Sequence, residues 1–313
     1  MKRGPGHLQL KADAGTPLLV KEEIRQRSLF GEYFELTKPR LSLLSVITAM
    51  VGYLAAQPER NTPVFLGLLV GTCLAAGGAS ALNQWMEREA DARMLRTRDR
   101  PVPAGAISPR AALVYGLFLS LTGDFILKIQ VNELAAVLAL STQLLYLLVY
   151  TPLKRVAYWN THIGAVPGAI PPLIGWAAAE GGISMLGWIL FAILLTWQIP
   201  HFMAIAWTYR EDYARGGFVM LSVTDPTGRQ AAFQAFAFTV LLLLCSFLPM
   251  IMGFTSWLYG IVTLLCGIWF LQIAIQFLRH ADRDVVARRL FLVSIAYLPL
   301  LLSVMLIDRW FLV

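Results

Sequence analysis

Charge is what this chain is short of. Only 14% of its 313 residues are Asp, Glu, Lys or Arg, where a soluble domain carries about a quarter, so an ordinary water-facing shell cannot be assembled from it. Cysteine occurs three times. Cys73, Cys245 and Cys266 all fall inside apolar runs, without CxxC spacing or a nearby histidine, which argues against a metal or redox site. Residues 1–40 mix acidic and basic side chains and lack an apolar core, so they do not read as a cleaved signal peptide or a mitochondrial presequence.

Hydrocarbon is what the chain has. Hydrophobic residues make up 57% of it, and the mean hydropathy is +0.62. They are gathered into nine runs, at 41–57, 63–85, 110–129, 133–150, 161–179, 184–207, 231–253, 256–278 and 290–307. Each is near the length a helix needs to cross about 30 Å of hydrocarbon. The runs are continuous rather than alternating, which disfavours the barrel, the other backbone solution a bilayer permits. The expected class is all-α, a polytopic membrane protein with nine transmembrane helices.

The net charge of +7 would point to nucleic acid in a soluble protein, but here its placement says more. With nine spans, 23 of the 26 Lys and Arg fall in the N-terminal tail and the even-numbered connections. Basic residues collect on the cytoplasmic side. This predicts a cytoplasmic N-terminus, a C-terminus on the opposite side, and no nucleic-acid partner. Residues 1–40 form a tail and juxtamembrane segment, with 1–28 expected to be disordered, and 41–313 form the membrane domain.

Polar groups concentrate in two cytoplasmic loops, 83–109 and 208–230. In the first, Asn83, Glu87 and Asp91 recur every four residues and share one helix face. A solvated helix end with ion pairs to Arg88 and Arg93 would have the same pattern. Carboxylates at the end of a span are costly without a cation, however, and oxygen ligands at this spacing suit Mg²⁺ completed by phosphate oxygens. Arg96, Arg98 and Arg100 follow on a turn with Pro101 and Pro103. Beside the ladder they favour diphosphate binding, although alone they are also a topology signal.

"YTPLKR" at 150–155 places Tyr150 and Lys154 four apart. Lys154 suits a leaving diphosphate and Tyr150 an aromatic face for a cation; an interfacial Tyr with a snorkelling Lys is the plain alternative. The segment 197–221 brings His201, Asp212 and Arg215 to the same side, with Asp212 placed to complete a metal site opposite Asp91. Run five holds Pro167, Pro171 and Pro172 with Gly164, Gly168 and Gly175, which predicts a kinked, closely packed helix beside a pocket.

These motifs, NxxxExxxD with RTxxRPxxxG, "YTPLKR" with "GAIPPLIGWAA", and "PHFMAIA" with "DYARGGFVMLSV", resemble the UbiA-type intramembrane prenyltransferases over about residues 35–305. Glu87, where the family more often has Asp, and the "PHF" and "PPLIGW" segments point to the branch that farnesylates haem. The resemblance implies nine helices around a cavity, Mg²⁺-dependent use of farnesyl diphosphate, haem B as acceptor and haem O as product, in the cell (inner or plasma) membrane. Carried over, Asn83, Glu87, Asp91 and Asp212 are metal positions, and Arg96, Arg100 and Arg215 meet substrate. Tyr150 and Lys154 act with Asp91 in catalysis. His201 is a candidate haem ligand or an interhelical hydrogen-bonding group. Thr208 and Gly216 flank Asp212 at four-residue spacing, so a second DxxxD is absent and the number of metal ions stays open.

By the same resemblance a haem vinyl group attacks the farnesyl carbon, water captures the resulting cation, and the product passes to haem A synthase or terminal oxidase assembly. A quinone-precursor prenyltransferase would share the diphosphate site. A transporter is disfavoured, because the polar motifs do not repeat and cluster at one face; Asp124 and Lys128, able to pair four residues apart, are the exceptions.

Overall fold

The computed structural model describes residues 28–312 except 58, 60, 280 and 281. Residues 1–27, nearly all of the stretch expected to be disordered, and Arg60 therefore lie outside the described residues. All elements are helical, with no strand among the described residues. In chain order they are α1 (Leu29–Leu36), α2 (Pro39–Ala55), α3 (Thr62–Asp91), α4 (Pro109–Ile126), α5 (Glu133–Leu144), α6 (Asn160–Ala169), α7 (Pro171–Glu180), α8 (Met185–Thr208), α9 (Arg210–Gly216), α10 (Arg229–Ile251), α11 (Trp257–Arg279) and α12 (Arg283–Phe311). Short π-helical turns, Leu127–Val131 and Leu145–Tyr150, prolong α4 and α5.

Among the described residues seven helices are long and apolar enough to cross a membrane: α3, α4 and α5 with their extensions, α8, α10, α11 and α12. The first expected run forms the 17-residue α2. The fifth is divided at Ile170 into α6 and α7. Pro171 and Pro172 bring no N–H, so α6 cannot pass its hydrogen-bond ladder through them. The outward surface is apolar, with Leu117, Phe118, Leu121 and Phe125 all exposed, as a bilayer requires.

Two helix pairs approach closely through glycine. A Cβ on Gly123 would stand 2.5 Å from Ala75 N of α3, and one on Gly78 would stand 2.8 Å from Gly116 O of α4. A Cβ on Gly175 of α7 would stand 1.8 Å from Ala49 O of α2, and one on Gly52 would stand 2.0 Å from Pro172 O. Without a hydrophobic drive between helices in lipid, such backbone proximity supplies the packing. The largest buried core lies elsewhere, among α8, α10, α11 and α12, and includes Trp197, Trp207, Phe270 and Tyr297.

The 30 residues of α3 extend about 45 Å, against about 30 Å of hydrocarbon. The excess, about ten residues, is the stretch that carries Asn83, Glu87 and Asp91. Asp124 accepts a 2.7 Å hydrogen bond from Gln143 Nε2, so its partner is an amide on α5 and not Lys128.

Candidate active site

Asn83, Glu87 and Asp91 share the expected face of α3, and all three are buried. Each is met by a cation from a different segment. Lys38 Nζ donates to Asn83 Oδ1 at 2.7 Å, Lys154 Nζ to Glu87 Oε1 at 2.9 Å, and Arg100 Nη1 to Asp91 Oδ2 at 2.7 Å. Asn83 Nδ2 donates to Thr151 Oγ1 at 3.2 Å. Arg88 and Arg93 turn instead to Glu89 and the backbone. The ladder is thus a buried, charge-compensated wall rather than a solvated helix end.

Lys38 holds a left-handed backbone, φ 46° and ψ 61°, immediately before Pro39. The following ring disfavours the right-handed region for this residue, and a strained non-glycine at a functional site has to be held there by its contacts. Burial, and next the charge of Arg100, lower the Lys38 pKa to about 7. Lys154 moves the other way: burial depresses it, but the Glu87 carboxylate together with Tyr150 and Tyr146 outweighs that and leaves it raised. Its ammonium lies 4.6 Å from the Tyr150 ring centre and 5.7 Å from that of Phe218. Val219 N donates to Lys154 O at 2.7 Å, which joins the second polar loop to this end of α5.

Two of these cations, Lys38 and Lys154, line a cavity of about 350 Å³ together with Tyr150, Ala75, Ala139 and Ile174. A Cβ on Gly164 would stand 2.5 Å from the Tyr150 ring, so glycine is what lets the ring lie against α6. The arrangement is a basic head over an apolar chamber, suited to an anionic group carrying a hydrocarbon tail.

Asp212 stands elsewhere. Its Oδ1 accepts from Leu95 N at 3.0 Å and from Arg215 Nη2 at 2.6 Å, and its Oδ2 accepts from Arg96 N at 3.1 Å. Burial raises the Asp212 pKa, but Arg215 and the two backbone N–H groups outweigh it and hold the carboxyl below its ordinary value. Asp212, Arg96 and Arg215 line a separate polar recess of about 470 Å³ with Arg210 and Arg288. The structure therefore brings Asn83, Glu87, Asp91, Arg100, Tyr150 and Lys154 together and sets Asp212, Arg96 and Arg215 apart. Asp212 ties α9 to the turn after α3.

His201 is stacked between Trp197 and Phe291, with ring centres 4.8 and 5.2 Å away, and its Nδ1 lies 2.8 Å from Ser294 Oγ. It is absent from the cavity lining, to which its neighbour Phe202 contributes. Lys38 is the residue that sequence reasoning passed over. Its one signal was a Lys-Pro pair just before the first apolar run, where basic residues also serve topology.

Among the described residues no group of three or more His, Cys, Asp or Glu is gathered to hold a metal. Asp91 Oδ1, however, is buried and has no hydrogen-bond partner. An oxygen in that condition fits a hard cation whose remaining ligands come from a substrate or water.

The family model described as "UbiA prenyltransferase family" matches residues 45–295. A protein of Opitutus terrae named "Protoheme IX farnesyltransferase" is 53% identical over 91% of this chain and 96% of its own length. The fold is shared with a structure of a digeranylgeranylglyceryl phosphate synthase, at TM-score 0.76 and 19% identity over 90% of this chain and 98% of that one. It is also shared with a UbiA homologue from Archaeoglobus fulgidus bound to GPP and Mg²⁺, at TM-score 0.58 and 15% identity over 88% and 99%.

Proposed function

We propose that this chain, which belongs to the UbiA prenyltransferase family, transfers the farnesyl group of farnesyl diphosphate to a vinyl group of haem B, with addition of water, to give haem O and diphosphate. The reaction class rests on one observation: Lys38, Arg100 and Lys154 pair with the Asn83, Glu87 and Asp91 face, and Lys38 and Lys154 also line an apolar cavity. The acceptor rests on the relative named "Protoheme IX farnesyltransferase".

Lys154, Arg100 and Lys38 stand where the diphosphate gains charge as its bond to farnesyl C1 lengthens, so the developing anion meets fixed cations. Lys154 then exchanges the Glu87 carboxylate for a phosphate oxygen. The Tyr150 ring faces the allylic cation, and the apolar walls exclude water from it. The haem vinyl carbon bonds to C1. Water adds at the carbon beside the porphyrin and releases its proton. No protein nucleophile takes part.

Asp91, with its unpartnered Oδ1, and its neighbours Glu87 and Asn83 would hold Mg²⁺; the cation supplies positive charge to the diphosphate oxygens. Arg96, Arg215 and Asp212 hold α9 to the turn after α3, in the separate recess. The placement is the cell membrane with the site on the cytoplasmic face, and haem A synthase or terminal oxidase assembly consumes the product.

Purified protein incubated with haem B, farnesyl diphosphate and Mg²⁺ tests the reading, with the extracted haems resolved by chromatography and mass. A haem heavier by farnesyl plus water, absent with chelator, is expected. Unchanged haem, with diphosphate released when 4-hydroxybenzoate is supplied, would move the activity to a quinone precursor.

A further inference from the structure

Gln198 of α8 is 5% exposed and lines the cavity. Its Nε2 donates to Ala165 O and to Leu194 O, each at 3.1 Å. Those two carbonyls fix which end of the amide is nitrogen, because an amide oxygen cannot satisfy either of them. The oxygen therefore points the other way, over Gly168, where a Cβ would come within 2.0 Å of it. Gly168 also lines the cavity. It is one α-helical turn beyond Gly164, against which the Tyr150 ring is packed. The two glycines are about 6 Å apart along α6.

We infer that the Gln198 carbonyl oxygen is the negative pole that faces the positive charge on the substrate chain. This deepens the prenyl-transfer reading and rests on it. When the C1–O bond of an allylic diphosphate breaks, its electron pair leaves with the diphosphate, and the positive charge is shared between C1 and C3. With the diphosphate at Lys154, that charge falls beyond Tyr150 and one turn deeper, on the side toward Gln198. Tyr150 offers it a ring face, and Gln198 offers a fixed dipole whose N–H end is already occupied. A dipole oriented before the reaction adds no reorganisation when the charge appears. It is also neutral, and so a weaker nucleophile toward the cation than a carboxylate.

Two variants test the amide, one by removal and one by displacement. Gln198→Leu removes the amide. Gly168→Ala keeps the amide and displaces its oxygen, since the new Cβ would meet only the far end of a flexible side chain. For both, kcat for farnesyl transfer is expected to fall about tenfold to a hundredfold, with KM for farnesyl diphosphate within about twofold. Affinity for an ammonium mimic of the farnesyl cation, measured with inorganic pyrophosphate present, should fall in parallel. Binding of a non-cleavable farnesyl thiolodiphosphate should be unchanged, which also reports that each variant is folded.

Variants with wild-type kcat and wild-type ammonium affinity would remove the role of Gln198. An equal loss of thiolodiphosphate affinity would do the same, since it would mark a defect of shape. If wild-type protein leaves farnesyl diphosphate intact with haem B present, the underlying reading fails, independently of either variant.

Discussion

Lys154 Nζ lies 2.9 Å from Glu87 Oε1, joining residues 67 apart in sequence, and both side chains are largely buried. Neither charge has water to fall back on. Lys154→Met strands the carboxylate, and Glu87→Gln strands the ammonium, each at about 3–5 kcal/mol. The double variant should unfold closer to wild type than either single one, while turnover stays lost in all three. Thermal unfolding in detergent, run beside diphosphate release, checks both statements. Single variants that melt like wild type would show the pair to be screened by solvent.

Asp91 is bound by Arg100 through one oxygen and has the other unpartnered. Asp91→Asn retains the volume and loses the charge. Turnover should fall about a hundredfold or more, with the helix content kept and the melting point lowered by the loss of the Arg100 pair. Chelation should produce the same fall in wild-type protein, reversed by Mg²⁺, and should add nothing in the variant. Near-normal turnover by Asp91→Asn would defeat the assignment.

Lys38, at about pKa 7 through burial and then Arg100, gives a pH signature whose sign is fixed. As pH rises through 7, the free protein loses a charge that an anionic diphosphate would meet. KM for farnesyl diphosphate should therefore rise above pH 7, by at most about tenfold per pH unit. Stability should move oppositely, because the unfolded chain keeps this proton to about pH 10.4. Between the two values the unfolded state binds more protons, so folding gains as pH rises. Lys38→Met should flatten both profiles, as read by kinetics and by melting across pH 6 to about 9.

His201→Phe keeps the stack with Trp197 and Phe291 and loses the contact with Ser294. A stability loss of about 1 kcal/mol is expected, with the absorption spectrum of added haem unchanged. A shifted haem spectrum would instead make His201 an iron ligand.

The parts of this molecule that follow from local periodicity were legible in its sequence. A four-residue spacing puts Asn83, Glu87 and Asp91 on one face wherever a helix forms, and three prolines forecast the division at Ile170. What local spacing could not reveal was the choice of partner. Arg88 and Arg93 are closer in sequence to the ladder than Arg100, yet of the three only Arg100 bends back onto it. Asp212 looked like a ligand because its acceptors were visible and its donors were not. Those donors include the backbone N–H groups of Leu95 and Arg96, which have no letter in a sequence. Lys38 was obscured for the opposite reason, since a basic residue before a membrane run already has an ordinary explanation.

The glycine contacts have a mechanical consequence. Where Gly175 meets Ala49 and Gly123 meets Ala75, backbone rests on backbone, and at those points no side-chain layer lies between the helices to compress. The cavity takes lining from α2, α3 and α7 as well as from α5, α6 and α8. An added methyl group at Gly52 or Gly175 would therefore force α2 and α7 apart at the cavity wall instead of merely filling a gap.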